Sequence, residues 1–134
     1  MPHSTEIAIR FYELDPYNHL NHSAYIQYFE TARIELLGAA GFELQSMMED
    51  GVMIVVTEIA TKFLSSATSG DVVTVETEVV EFKRVTSTWR QRILRAGEVI
   101  ATQELRAALV NLDGRPIRFP EEMIAALEPF RAQV

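Results

Sequence analysis

The sequence predicts an α+β domain: a five-stranded antiparallel sheet wrapped around one long helix. Three observations carry this. One stretch, Ser23 to Ala40, has apolar residues at helical spacing. Five other stretches have the two-residue alternation or β-branched content of strands. Tight turns join the last four of these, and short turns make neighbouring strands antiparallel.

The first strand is expected over Glu6 to Tyr12, with Ile7, Ile9 and Phe11 on its core face. Leu14 to Asn21 breaks the alternation with Asp15-Pro16 and two asparagines, which is turn chemistry. In the helix that follows, Tyr25, Tyr28 or Phe29, Ala32, Leu36 and Ala40 step by three and four. Ala24, Ile26, Ile34 and Leu37 widen the apolar surface, so the helix should be buried on most sides. Gly38 and Gly41 mark its end, and Glu43 to Glu49 reads as a short second helix. Val52 to Leu64 is a strand with Thr57, Ile59, Thr61 and Phe63 in period two. After the Ser69-Gly70-Asp71 turn, Val72 to Phe82 alternates, with a phase slip near Val79-Val80 that predicts a β-bulge. Thr86 to Leu94, the Arg95-Ala96-Gly97-Glu98 turn and Val99 to Leu112 complete the sheet, and Pro120 to Phe130 predicts a short terminal helix.

Composition bounds the function. The chain has 134 residues, about one domain's worth, with no internal repeat or linker, so residues 1–134 are read as a single domain. The formal charge of −7 argues against nucleic acid or an anionic membrane as partner. With no cysteine there is no thiolate nucleophile, disulfide or Cys-ligated zinc. No apolar run approaches the roughly 20 residues of a membrane helix. MPHSTEIAIRF lacks the basic and apolar regions of a secretory signal, so a soluble cytoplasmic protein is expected.

The chemistry-bearing cluster is Asp15-Pro16-Tyr17-Asn18-His19-Leu20-Asn21-His22, between the first strand and the long helix. Amides in the first helical turn have no helical partner, and the helix dipole favours negative charge there. An oxyanion would be stabilised at such a place, and an aspartate beside it could attack a carbonyl or activate water. The plainer alternative is a strand-to-helix turn with Asn21 or Ser23 as helix cap. Asp15, His19 and His22 offer one oxygen and two nitrogen ligands, but the imidazoles are three apart in a loop with no evident fourth ligand, so no metal is expected.

The run from Phe11 to Asp15, continued by His19-Leu20-Asn21-His22-Ser23-Ala24-Tyr25-Ile26-Gln27-Tyr28-Phe29-Glu30-Thr31-Ala32-Arg33, resembles the signature of the hot-dog-fold acyl-CoA thioesterases. It is most similar to their 4-hydroxybenzoyl-CoA thioesterase branch. The resemblance implies strand order 1-3-4-5-2 around the central helix and hydrolysis of an acyl-CoA to free acid and CoA. It implies Asp15 as nucleophile or general base, the backbone N–H at His22 as the group polarising the thioester carbonyl, and Asn21 as an orienting residue. Tyr25, with Val55, Val56 and Thr57, would line the acyl pocket. Lys83, Arg84 and Ser87 would meet the pantetheine or phosphates of coenzyme A, and Arg90, Arg92 and Arg95 extend that basic cluster. The alternative for these arginines is pairing with Glu76, Glu78 and Glu81 on neighbouring strands. Glu30 and Arg33, three apart on the helix, can pair. Where the family often has Pro-Ala after the second strand, this chain has Phe63-Leu64-Ser65-Ser66-Ala67. No cofactor is implied beyond the coenzyme A of the substrate, and the partner implied is a second copy, as a dimer or a dimer of dimers. Rival readings are an acyl carrier protein as the thioester's carrier, and a hot-dog protein that binds acyl thioesters without turnover. The usual motif of a hot-dog dehydratase is not found.

Overall fold

The computed structural model describes residues 1–133. Its strands are β1 (His3–Ala8), β2 (Val52–Phe63), β3 (Val72–Phe82), β4 (Thr86–Arg95) and β5 (Glu98–Asn111). Its helices are α1 (His22–Ala39), α2 (Leu44–Glu49) and α3 (Glu121–Leu127). The strands form one antiparallel sheet in the order β1-β3-β4-β5-β2, as the resemblance to the hot-dog fold implies. Among the described residues no helix is long and apolar enough to cross a membrane.

The β3 bulge falls where the phase slip predicts it, with a register shift between Val79 and Glu81. A second shift, between Val56 and Glu58, keeps Ile54 and Val56 on the same face as Ile59, Thr61 and Phe63. Ala96 and Gly97 both have positive φ, 49° and 80°, which is the two-residue hairpin turn whose twist matches its strands.

The first strand differs from expectation. It begins at His3, and the chain turns into a 3-10 helix at Phe11–Glu13. Thr5 and Ile9 face the core as the alternation requires, but Phe11 and Tyr12 are exposed. The amide of Arg10 donates to Glu13 Oε1 at 2.9 Å, and this local bond ends the strand before Phe11 reaches the core. The terminal helix is likewise shorter, with α3 passing into a 3-10 turn at Glu128–Phe130.

Helix α1 lies over β1, β3 and β4. Its core face is the predicted one, from Ala24 to Leu37, but Ile34 is 39% exposed, so the helix is not covered on the side toward β2. The core divides in two. Around Phe29, Val75, Ile93 and Ala101 lies one apolar cluster; around Leu36, Val79, Trp89 and Leu105 lies the other. Between them runs a polar row that crosses the whole sheet. Cα partners His3, Thr77, Gln91, Gln103 and Thr61 stand in register on β1, β3, β4, β5 and β2.

Arg33 of α1 sits above that row, 8% exposed, and its Nη1 donates to Gln91 Oε1 and Gln103 Oε1, both at 2.9 Å. Gln91 Nε2 donates to Thr77 Oγ1 and to the Phe29 carbonyl, and Gln103 Nε2 donates to Thr61 Oγ1 at 2.8 Å. The buried amides are therefore satisfied. The expected Glu30–Arg33 ion pair does not form among the described residues: the side chain turns into the core, where two amide oxygens take its place. Desolvation pushes the guanidinium below its usual pKa, opposed by the charge of Glu30.

Candidate active site

The site is built where β1, the loop before α1 and the loop after β2 meet. The Leu20 amide donates to the Ala67 carbonyl at 2.7 Å, which ties the two loops together. Asn21 is the N-cap of α1: its Oδ1 accepts from the Ser23 amide at 3.0 Å and from Ser23 Oγ at 2.7 Å. Its side chain thus serves the helix start. The amide of His22, the first helical residue, has no acceptor among the described residues and is one of the free donors of the first turn.

Asp15 is half-buried. Its Oδ1 accepts from the amides of Tyr17 at 2.8 Å and His19 at 3.1 Å, while its own amide donates to the His19 carbonyl at 2.7 Å. One carboxylate oxygen is held by two backbone donors, and the other has no protein partner among the described residues. Asn18 at the tip takes a positive φ of 62°, a conformation asparagine tolerates. The loop therefore aims Asp15 by backbone bonds alone.

Asp15 and His22 line one open cavity of about 300 Å³ together with Tyr25, Phe63, Leu64 and Ser65. Tyr25 is buried, and its hydroxyl donates to the Ser65 carbonyl at 3.0 Å; burial raises its pKa, so it is a neutral donor. The Phe63 ring packs edge-on against Tyr25 and His22, with centroids 5.3 and 6.3 Å away. Tyr28 donates to Glu13 Oε1 at 2.6 Å, and desolvation, reinforced by that bond, pushes its hydroxyl well above the ordinary tyrosine range. The sequence gives no signal for Ser65 or for the Glu13–Tyr28 bond, because each depends on loops meeting across the fold.

The remaining predicted residues lie elsewhere. Val56 lines a second cavity, of about 200 Å³, with Glu30, Arg33, Ile34, Ile54 and Leu105. Thr57, at the β2 bulge, donates through Oγ1 to the Arg106 carbonyl at 3.2 Å. Ser87 is buried in the sheet, where it accepts from Trp89 Nε1 at 2.8 Å and donates to the Ala107 carbonyl. Lys83 and Arg84 are exposed in the β3–β4 loop, at the end of the sheet where β2 begins and β5 ends. Asp15 stands at the other end, beside the last residues of β2 and β4. Strands of ten residues or more separate the two places by about 30 Å. Within one protomer the basic pair and Asp15 are not brought together. Arg90 and Arg92 are not free cations: they pair with Glu78 at 2.8 Å and Glu76 at 2.6 Å. Arg95 donates to the Ser66 carbonyl and approaches Asp71 and Glu98. Among the described residues no three His, Asp or Glu side chains converge as a metal-binding set.

Comparison with known proteins bears on this arrangement. The family model described as the Thioesterase-like superfamily matches residues 9–127. The acyl-CoA thioesterase YbgC of Haemophilus influenzae is 30% identical over 125 residues, 92% of each chain. A chloroplastic acyl-acyl carrier protein thioesterase of Arabidopsis thaliana is 26% identical over 133 residues, covering 98% of this chain and 70% of that one. Among solved structures, a hypothetical protein from Aquifex aeolicus superposes with a TM-score of 0.90 at 26% identity, covering 95% of this chain and all of that one.

Proposed function

The chain belongs to the Thioesterase-like superfamily and is a thioester hydrolase, and from that premise we propose that it cleaves an acyl-CoA ester at the cavity shared by Asp15 and the start of α1. The observation that carries this reading is the pairing, in one cavity, of a carboxylate with one free oxygen and a helix N-terminus with a free amide. The His22 N–H would receive the thioester carbonyl oxygen. The free oxygen of Asp15 would take a proton from water as the hydroxide forms its bond to the carbonyl carbon. The tetrahedral oxyanion then collapses, the carbon–sulfur bond breaks, and the thiolate takes the proton to leave as free thiol. In the covalent variant, Asp15 attacks the carbonyl itself, the carbon–sulfur bond breaks to release the thiolate, and water then hydrolyses the resulting anhydride to the free acid and the Asp15 carboxylate, its released proton going to the thiolate. Asn21 contributes by holding the helix start, and Tyr25 by walling the cavity. The reading places the protein in the cytoplasm, with no cofactor beyond the coenzyme A of its substrate.

The working unit in this reading is a dimer, alone or paired into a dimer of dimers. β2 is an edge strand of 12 residues with only β5 beside it, and Val55, Val56, Ile59 and Phe63 are each more than a third exposed. A long, apolar, unpaired edge invites a strand from a second copy. Antiparallel pairing of two β2 strands reverses their ends. Lys83 and Arg84 of one protomer then come to the side of the sheet where the other carries Asp15, and their charges suit the phosphates of coenzyme A.

Thiol release from a panel of acyl-CoA and acyl carrier protein esters tests the chemistry. Asp15→Asn keeps an oxygen for the Tyr17 and His19 amides but loses the charge, so turnover should fall by about 10² or more with folding unchanged. Unchanged turnover removes Asp15 from the mechanism, and turnover of carrier-protein esters alone replaces the carrier. Mixed dimers test the second copy. Asp15→Asn and Lys83→Ala/Arg84→Ala subunits, each poor alone on CoA esters, should together restore one complete site. No recovery in dimers shown to be mixed counts against the cross-protomer assignment.

A further inference from the structure

The second cavity contains a charge that the proposed chemistry does not use. Arg33 is 8% exposed, yet no carboxylate lies within ion-pair distance of it among the described residues. Nη1 is bound to two glutamine oxygens, while Nε and Nη2 meet no acceptor among the described residues. Arg33 lines the cavity with Glu30 beside it, and the other walls include Ile34, Ile54, Val56 and Leu105. Two polar groups thus converge in an otherwise apolar groove.

The groove and the catalytic cavity share no lining residue, but both lie between α1 and β2, and one face of α1 leads from one to the other. His22, Ile26, Glu30, Arg33 and Leu37 recur at three- and four-residue steps and share one helix face. The facing strand carries Phe63 beside His22 at one end and Val56 and Ile54 at the other. Arg33 is eleven residues beyond His22, about 16 Å along the axis at 1.5 Å per residue, and less at the guanidinium because helical side chains lean toward the N-terminus. At about 1.3 Å per carbon of an extended chain, roughly 16 Å corresponds to about twelve carbons, and the lean of the Arg33 side chain shortens this to about ten.

A plain alkyl end packed against the guanidinium would displace its water and leave its N–H groups without acceptors, which costs free energy. A terminal hydroxyl removes this cost. Its oxygen accepts from Arg33 and its O–H donates to the Glu30 carboxylate. A terminal carboxylate would meet Arg33 but be repelled by Glu30. Resting on the thioester-hydrolase site above, we infer that Arg33 and Glu30 are specificity-determining residues that select medium-chain acyl groups bearing a hydroxyl at the far end.

The test compares kcat/KM for ω-hydroxydecanoyl-CoA, decanoyl-CoA and the ω-carboxy ester of the same length. The hydroxy ester should exceed the plain ester by about tenfold, the ratio that corresponds to one well-made hydrogen bond. Arg33→Met should bring that ratio to one or below, and Glu30→Gln should relieve the carboxy ester specifically. A purely structural Arg33 would lower both esters together, so a ratio unmoved by Arg33→Met overturns the inference. So does a wild-type ratio of one. Should Arg33→Met fail to fold, Arg33→Lys, which keeps a cationic donor for the two glutamine oxygens but loses the fork of N–H groups left for a ligand, gives the same readout. Hydrolysis of short esters but not of the decanoyl esters also overturns it, because the groove is then not reached. Failure to hydrolyse any ester, short ones included, removes the underlying reading instead.

Discussion

Two polar clusters of this molecule are organised in opposite ways. Asp15 is held by the amides of Tyr17 and His19, two and four residues away, and keeps one oxygen open to a cavity. Arg33 is held by Gln91 and Gln103, 58 and 70 residues away, inside the core. A group fixed by its own loop can face a ligand and still be aimed, because its partners are backbone amides that fold with it. Fixing Arg33 instead requires the whole sheet to be assembled, since its partners come from two different strands. The first arrangement suits a reacting group and the second suits a wall.

The same contrast explains what the sequence discloses. The Asp15 cluster is dense within eight consecutive residues, so its placement before α1 is legible from turn chemistry and helix spacing. Period two reveals β3, β4 and β5 nearly to the residue, including the Val79 bulge. The polar row is not legible, because Thr77, Gln91 and Gln103 are polar residues on alternating strands and nothing local says that they align. Arg33 looks like the partner of Glu30 for the same reason: helix spacing predicts the neighbour at i−3 and cannot see the amides across the core. Lys83-Arg84 looks like part of the site in a linear reading, but a single protomer puts it at the far end of the sheet.

The largest effect that would sharpen the contrast is on stability. Gln91→Leu removes an acceptor of Arg33 and the donor to Thr77 Oγ1 and the Phe29 carbonyl, all buried. Leaving such groups unpaired should cost about 3 kcal/mol, roughly 10 °C in Tm for a domain of this size. Asp15→Asn, by contrast, should leave Tm within about 1 °C of the parent while removing most of the turnover, because the loop's amide bonds survive. Equal losses of Tm in the two variants would erase the distinction between a reacting group and a wall.

A smaller effect probes the bond that joins the Asp15 loop to the helix. Glu13 Oε1 accepts from both the Arg10 amide and the Tyr28 hydroxyl, so it ties the end of β1 to the middle of α1. Tyr28→Phe should cost about 1 kcal/mol at neutral pH, the worth of one hydrogen bond. Its signature lies in the alkaline limb. The folded pKa of Tyr28 is raised above the ordinary tyrosine value of 10.0 by desolvation and by Glu13. The contribution of such a group is fully present below the unfolded pKa and is lost as pH rises through the folded one, because the unfolded chain then ionises first. Parent Tm should therefore fall as pH rises above about 10, and Tyr28→Phe should flatten that fall in a series of melts from neutral to alkaline pH. Parallel curves for parent and variant would mean that the hydroxyl contributes nothing beyond its ring, and that the loop reaches its position on the Tyr17 and His19 amides alone.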